Sequence, residues 1–234
     1  MKTIGILGGL GPEATIDYYK EIIKGFNAIN REGSLNYPEI VIYSVNMSRF
    51  IGLLNKEMYP EASDYIASCI NKLKDAGADF AAISANTPHL LFREIQSKSK
   101  LSLISIVETC AERAAQIKVK KCGLLGTRFT MNATFYKEVF AKRAIDVISP
   151  DASQIEFING KLFTELEVGV FKEETKSYFL KIIEEMKIRD EIDSVILGCT
   201  EFPIMFTEEA YLGIPFLNTT RIHVSKIIRE CLQD

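Results

Sequence analysis

Apolar residues follow two rhythms along this chain. Short runs rich in Ile, Val, Leu and Phe alternate with longer stretches in which apolar residues return every third or fourth position, and this predicts strands linked by helices. The strands are expected at Lys2 to Leu7, Glu39 to Val45, Phe80 to Ser84, Ser102 to Ser105, Cys122 to Leu125, Asp146 to Ile148, Val195 to Gly198 and a short piece near Phe216. Helices fill the intervals. The plainest runs from Glu61 to Asp75, where Tyr65, Ile66, Cys69, Ile70 and Leu73 share a face and Gly77 follows as a stop. Others are expected at Pro12 to Phe26, Ile106 to Ile117, Met131 to Lys142, Leu162 to Val168, Glu173 to Lys187 and Thr220 to Leu232. Strand and helix in alternation imply an α/β protein whose parallel sheet is covered on both faces.

The pattern is written twice. Lys2-Thr3-Ile4-Gly5-Ile6-Leu7-Gly8 reads like Lys120-Lys121-Cys122-Gly123-Leu124-Leu125-Gly126, and each is followed by an Ala-Thr pair and a Tyr-Lys-Glu set. Further on, Asp79 and Asp193 each open an apolar run, ending in Ser84-Ala85-Asn86-Thr87 in one half and Gly198-Cys199-Thr200-Glu201 in the other. A repeat of about 115 residues predicts two pseudo-symmetric αβα lobes, each with a mostly parallel sheet. Residues 1–100 with about 215–234 form the expected first lobe, and 101–214 the second. Ligands of open α/β sheets bind at the carboxyl ends of strands, so the active site is expected in a cleft between the lobes.

Composition narrows the partners. The 234 residues carry a formal net charge of −3 with no long run of either sign, which argues against nucleic acid and anionic membranes. No stretch reaches the roughly 18 to 20 apolar residues of a membrane span, and the amino terminus runs straight into a strand, so the expected location is the cytoplasm. The five cysteines are scattered without CxxC spacing and read as free thiols. A small molecule is the expected partner.

The chemistry gathers at the predicted strand ends. Gly8-Gly9-Leu10-Gly11-Pro12 brings backbone N–H groups towards an anion, or is simply a tight turn. Asn86, Thr87, Thr127 and Thr200 offer uncharged donors suited to a carboxylate, or serve as helix caps. Cys199, between Gly198 and Thr200, is placed for converging amides to stabilise a thiolate. Arg49 and Lys161 would hold a side-chain carboxylate, the other reading being solvated surface charge. Neither His89 nor His223 has a partner at metal-ligand or triad spacing.

Val195-Ile196-Leu197-Gly198-Cys199-Thr200-Glu201-Phe202-Pro203 resembles the second signature of the aspartate/glutamate racemase family, and the amino terminus through Thr15 resembles its aspartate racemase branch. Leu124-Leu125-Gly126-Thr127-Arg128-Phe129-Thr130-Met131 is similar to the family's mid-chain loop, so the likeness spans the chain. The resemblance implies racemisation of aspartate or glutamate without pyridoxal phosphate, metal or other cofactor, by two cysteines on opposite sides of Cα. It implies substrate binding by Leu10, Arg49, Asn86, Thr87, Thr127, Lys161, Thr200 and Glu201, with Cys199 as thiol base. A homodimer is also implied.

The first signature departs from the family pattern. Where Cys-Asn-Thr is usual, this chain has Ala85-Asn86-Thr87, and a methyl group exchanges no proton. Activity is therefore expected to be weak or directional, with water, Ser84 or Thr87 serving the second face. Two alternatives stand beside this reading: a single-cysteine decarboxylase of the same superfamily, and a binding protein that holds an acidic amino acid without turnover.

Overall fold

The computed structural model describes residues 1–31 and 33–233, which divide into two units, Met1–Ile106 with His223–Asp234, and Val107–Ile222. The first unit runs β1 (Ile4–Gly8), α1 (Pro12–Ile29), β2 (Ile40–Ser44), α2 (Met47–Asn55), α3 (Tyr59–Asp75), β3 (Phe80–Ile83), a 3-10 turn (Thr87–Leu91), α4 (Phe92–Lys98) and β4 (Leu103–Ile104). Its strands are ordered β2-β1-β3-β4 and all pair in parallel.

From α5 (Ile106–Gln116) the second unit continues with β5 (Lys121–Gly126), α6 (Arg128–Asn132), α7 (Phe135–Ala141), β6 (Asp146–Ile148) and α8 (Ala152–Thr164). After a 3-10 turn (Leu166–Val168) come α9 (Glu173–Asp190), β7 (Ser194–Gly198), α10 (Phe202–Met205), β8 (Ala210–Tyr211), β9 (Ile214–Asn218) and α11 (Thr219–Cys231), whose later turns belong to the first unit. The order is β6-β5-β7-β9-β8, parallel except for the edge pair β8 and β9. The protein is thus α/β with two mostly parallel sheets, four strands in one and five in the other.

The first four positions of the second sheet repeat the order of the first, and the register repeats too. Leu7 lies opposite Ile83 in one sheet, and Leu125 opposite Leu197 in the other. The duplicated aspartates explain why they mark the repeat. Asp79 accepts from the Thr3 backbone N–H at 2.8 Å, while Asp193 accepts from Lys120 N–H at 2.8 Å and Lys121 N–H at 3.0 Å. Each carboxylate ties the start of its strand to the start of the unit's first strand. Asp193→Ala is expected to cost about 1.5–3 kcal/mol, the range for hydrogen bonds to a charged group, as read from urea unfolding midpoints.

In the first unit, α1 buries Ala14, Tyr18, Ile22 and Phe26, a stripe at four-residue spacing. It packs on Ile4, Ile6 and Phe80 together with Val224 and Ile227 of α11. A buried hydrogen bond from the Tyr18 hydroxyl to His223 Nδ1, 2.8 Å, joins the two helices.

Several elements differ from the sequence expectation. The helix placed at Met131 to Lys142 is two helices, because Ala133 is extended (φ −81°, ψ 164°). The helix expected at Leu162 to Val168 begins at Ala152 and ends at Thr164. Its start is set by a capping box in which Asp151 accepts from Gln154 N–H at 2.9 Å and Gln154 returns to the Asp151 N–H. Helices α2 and α10 and strand β8 were not anticipated, being short or lacking a clear period, while the helix expected to open at His89 is a 3-10 turn followed by α4. The return to the first lobe was placed at about residue 215, but β9 pairs with β7, so residues 214–218 belong to the second sheet. Among the described residues no helix is long and apolar enough to cross a membrane.

Candidate active site

Strand β7 ends at Gly198, which lies opposite Gly126, so Thr127 and Cys199 leave adjacent strands side by side. Both glycines are required by this approach. A Cβ on Gly198 would stand 2.7 Å from Leu125 O, and one on Gly126 would stand 3.0 Å from Gly198 O. The tight exit puts Cys199, Thr200 and Glu201 in one buried group, with exposures of 6%, 2% and 1%.

The Cys199 thiol donates to Glu201 Oε2 at 2.9 Å and lies 3.8 Å from Glu167 Oε1. The Thr200 hydroxyl donates to the same Glu201 oxygen at 3.3 Å. Burial pushes the thiol well above its usual range, and the Glu201 and Glu167 carboxylates push it further. The Glu201 backbone N–H acts the other way and is outweighed. These shifts run against the expected amide-stabilised thiolate: burial and the neighbouring Glu201 and Glu167 favour the thiol form, held on the Glu201 side chain. Burial also raises Glu201, and raises Glu167 to about 8 with the Glu201 charge as the second cause.

Glu167 was missed because it sits in the 3-10 turn Leu166–Val168, outside every motif. Its ligand atom, Cys199 Sγ and that of Glu201 lie within 4.8 Å of one another, which makes them a group that could hold a metal ion. Among the described residues no other such group occurs.

The remaining candidates of the second unit have structural employment. Thr127 caps α6, accepting from Thr130 N–H at 3.3 Å. Lys161 is 2.7 Å from Glu165, which also receives Lys172 at 3.1 Å and the Thr175 hydroxyl at 2.5 Å. The Lys161 bond is the main reason that the Glu165 carboxyl is held down to about 2. A substrate carboxylate at Lys161 would therefore compete with Glu165.

In the first unit, Ser84, Ala85, Asn86 and Thr87 follow β3, beside the glycine loop that follows β1. Ala85, Asn86 and Thr87 are buried. The Ser84 hydroxyl is fully buried and donates to Leu7 O at 3.2 Å, which counts against its serving as a proton donor to substrate. Gly9 spends its N–H on the Thr15 hydroxyl at 2.9 Å, and a Cβ on Gly9 would stand 2.7 Å from Val45 N. One amide expected to face an anion is therefore used internally, and the glycine is explained by the close passage of the chain after β2. Thr130, packed on Gly126, takes the place that Thr15 takes on Gly8, so the Ala133-Thr134 match marks the repeat without repeating the contact.

Leu10 is buried in the glycine loop. Arg49 is exposed near the start of α2 with its guanidinium 4.2 Å from the Tyr65 ring centroid, and it has no carboxylate partner among the described residues. His89 Nδ1 donates to Ala85 O at 3.1 Å, and Nε2 accepts from Ile106 N–H at 3.3 Å. Both ring nitrogens are occupied, and burial lowers the imidazole to about 3, so His89 braces the Ala85 backbone.

A model of the Asp/Glu/hydantoin racemase family matches residues 7–227. The chain belongs to that family. It is 28% identical to the broad specificity amino-acid racemase RacX of Bacillus subtilis (strain 168) over 202 residues, 85% of each chain. An aspartate racemase homologue from Pyrococcus horikoshii OT3 superposes with a TM-score of 0.82 at 33% identity over 100% of both chains. Picrophilus torridus aspartate racemase shares the fold at a TM-score of 0.77 and 22% identity, covering 99% of this chain and 94% of that one. Family membership makes this chain an isomerase of a family that acts on small-molecule amino-acid substrates.

Proposed function

We propose that this family member is a cofactor-independent amino-acid racemase of the cytoplasm in which Cys199 exchanges the α proton. The observation that carries the reading is the buried Cys199 thiol held 2.9 Å from the Glu201 carboxylate. A thiol proton passed to Glu201 leaves a thiolate and a carboxylic acid, with no net charge gained. The thiolate then takes the Cα proton, and the electron pair moves into the α-carboxylate. Return of the proton from the same sulfur restores the starting enantiomer; delivery to the other face inverts it.

Asn86, Thr87, Thr127 and Thr200 are proposed to hold the α-carboxylate, with Leu10 contributing an apolar wall. With Ala85 in place of a second thiol, inversion depends on water or Thr87 and is slow or one-directional. Aspartate and glutamate are the substrates that the family resemblance supplies, with Arg49 on the side-chain carboxylate. The protein is proposed to work as a homodimer, checked by sedimentation.

The test is incubation with the L and D forms of aspartate, glutamate, alanine and lysine in D₂O, following α-proton loss by NMR and enantiomer ratio by chiral chromatography. Exchange that vanishes in Cys199→Ser supports the proposal. Binding without exchange from any of the eight would make the protein a binder.

A further inference from the structure

The turn that carries Glu167 to Cys199 has little packing of its own. From Val168 to Glu174 every residue is exposed. Three buried residues fasten this stretch to the second unit: Leu166, Glu165 and, in the first turn of α9, Thr175. Glu165 does so twice. Its backbone carbonyl accepts from Val168 N–H at 3.2 Å and from Val170 N–H at 2.9 Å, which closes the turn around Glu167. Its side chain straps three pieces of chain together: Oε1 receives Lys161 of α8 at 2.7 Å and Lys172, the residue before α9, at 3.1 Å, while Oε2 receives the Thr175 hydroxyl.

An enclosed carboxylate is stable only with its donors in place, so these contacts weaken together when its charge is removed. Held down to about 2, chiefly by Lys161, Glu165 stays ionised through the neutral and alkaline range and adds no titration of its own there. What the strapped turn delivers is Glu167 Oε1 at 3.8 Å from Cys199 Sγ. Burial, then Glu201, then Glu167 raise the thiol well above its usual range. Glu167 is raised only to about 8, so it has lost its proton before the sulfur does and then stands as a like charge beside it.

We propose that Glu165 is a positioning residue: by strapping the Leu166–Val168 turn to α8 and α9 it holds Glu167 against Cys199, and so sets how readily that thiol gives up its proton. The inference rests on the racemase reading for the use to which the proton is put, whereas the ionisation itself is read without any substrate. Lys161 and Lys172 belong to the strap.

The test is the pH dependence of Cys199 alkylation by iodoacetamide, followed by mass spectrometry of the peptide that carries it, in the wild type, Glu165→Gln, Glu167→Gln and the double variant. Glu165→Gln keeps the shape of the side chain and Leu166 still seats the turn, so the variant is expected to fold, as circular dichroism checks. Its pH–rate curve is expected to lie about 1 pH unit below that of the wild type, making alkylation about tenfold faster at a given alkaline pH, the lower end of what a neighbouring charge does. Glu167→Gln should show the same displacement, and the double variant no more than Glu167→Gln alone, because Glu165 acts through Glu167. A general loosening of the site would instead displace the curve further in the double variant; that result, or an unmoved curve in a folded Glu165→Gln, overturns the proposal. Should Glu165→Gln fail to fold, Lys172→Met removes one strap from an exposed position: a smaller displacement that vanishes on the Glu167→Gln background supports the proposal, and no displacement overturns it. Alpha-proton exchange in D₂O on the same samples keeps the two readings apart. A displaced alkylation curve without exchange from any amino acid supports the positioning role and sinks the racemase reading; exchange with an unmoved curve does the reverse.

Discussion

Replacing Ala85 with cysteine is expected to raise two-way racemisation about 10² to 10⁴ fold, the usual contribution of a positioned proton donor or acceptor. Ala85 leaves β3 two residues after Ile83, opposite Leu7, as Cys199 leaves β7 two residues after Leu197, opposite Leu125. The duplicated register thus gives position 85 the place that the thiol has in the other sheet. Its backbone is already fixed, because Ala85 O accepts from His89 Nδ1 at 3.1 Å. Adding one sulfur to an existing Cβ asks little of that backbone. The gain should appear in both directions and disappear when Cys199→Ser is added, since a single thiol serves one face only. Initial rates from pure L and pure D substrate, by chiral chromatography, measure it. An Ala85→Cys protein that is folded, binds substrate and shows no increase would sink the two-base reading of this position.

The repeat was legible because its markers are backbone devices. Asp79 and Asp193 brace strand starts, and Gly8 and Gly126 each leave room for a threonine packed against the strand end, so both pairs recur with the sheet order, whereas Gly198 is matched by Ser84. Strands buried on both faces are dense in Ile, Val and Leu, which made their positions plain within a residue or two. Helices α2 and α10 are short and follow strand ends, where capping and tertiary packing outweigh periodicity. The site was half legible. Cys199, Thr200 and Glu201 are consecutive and form one buried group. Glu167 is far from them in sequence and on a turn with no motif, so only the fold brings it to the thiol. The upward shift of the Cys199 thiol was hidden for the same reason, since the amide that lowers it is local and visible, whereas the burial and the Glu167 side chain that raise it are tertiary.

The two units are expected to respond oppositely to pH between about 6.5 and 5. His89 and His223, both in the first unit, are lowered to about 3 and about 4, burial being the main cause. Their hydrogen bonds fix the neutral ring: His223 Nε2 donates to Ile104 O at 2.9 Å while Nδ1 accepts from the Tyr18 hydroxyl. Below pH 6.5 the unfolded chain binds a proton at each histidine and the native unit does not, so stability is lost as pH falls. In the second unit Glu167 and Glu201 are raised, so the native unit keeps protons that the unfolded chain has released above pH 4.5, and stability is lost as pH rises. Each group contributes a slope of about 1.4 kcal/mol per pH unit where it is protonated in one state only. Over the whole chain the two trends oppose each other, so a single melting curve mixes them. Hydrogen exchange corrected for intrinsic rates separates them: protection in β1 and β3 should fall on going from pH 6.5 to 5 while that in β5 and β7 rises. His223→Gln should flatten the first trend, and Glu167→Gln the second. Parallel changes in both sheets, unaltered by either substitution, would show that these four groups do not govern the response.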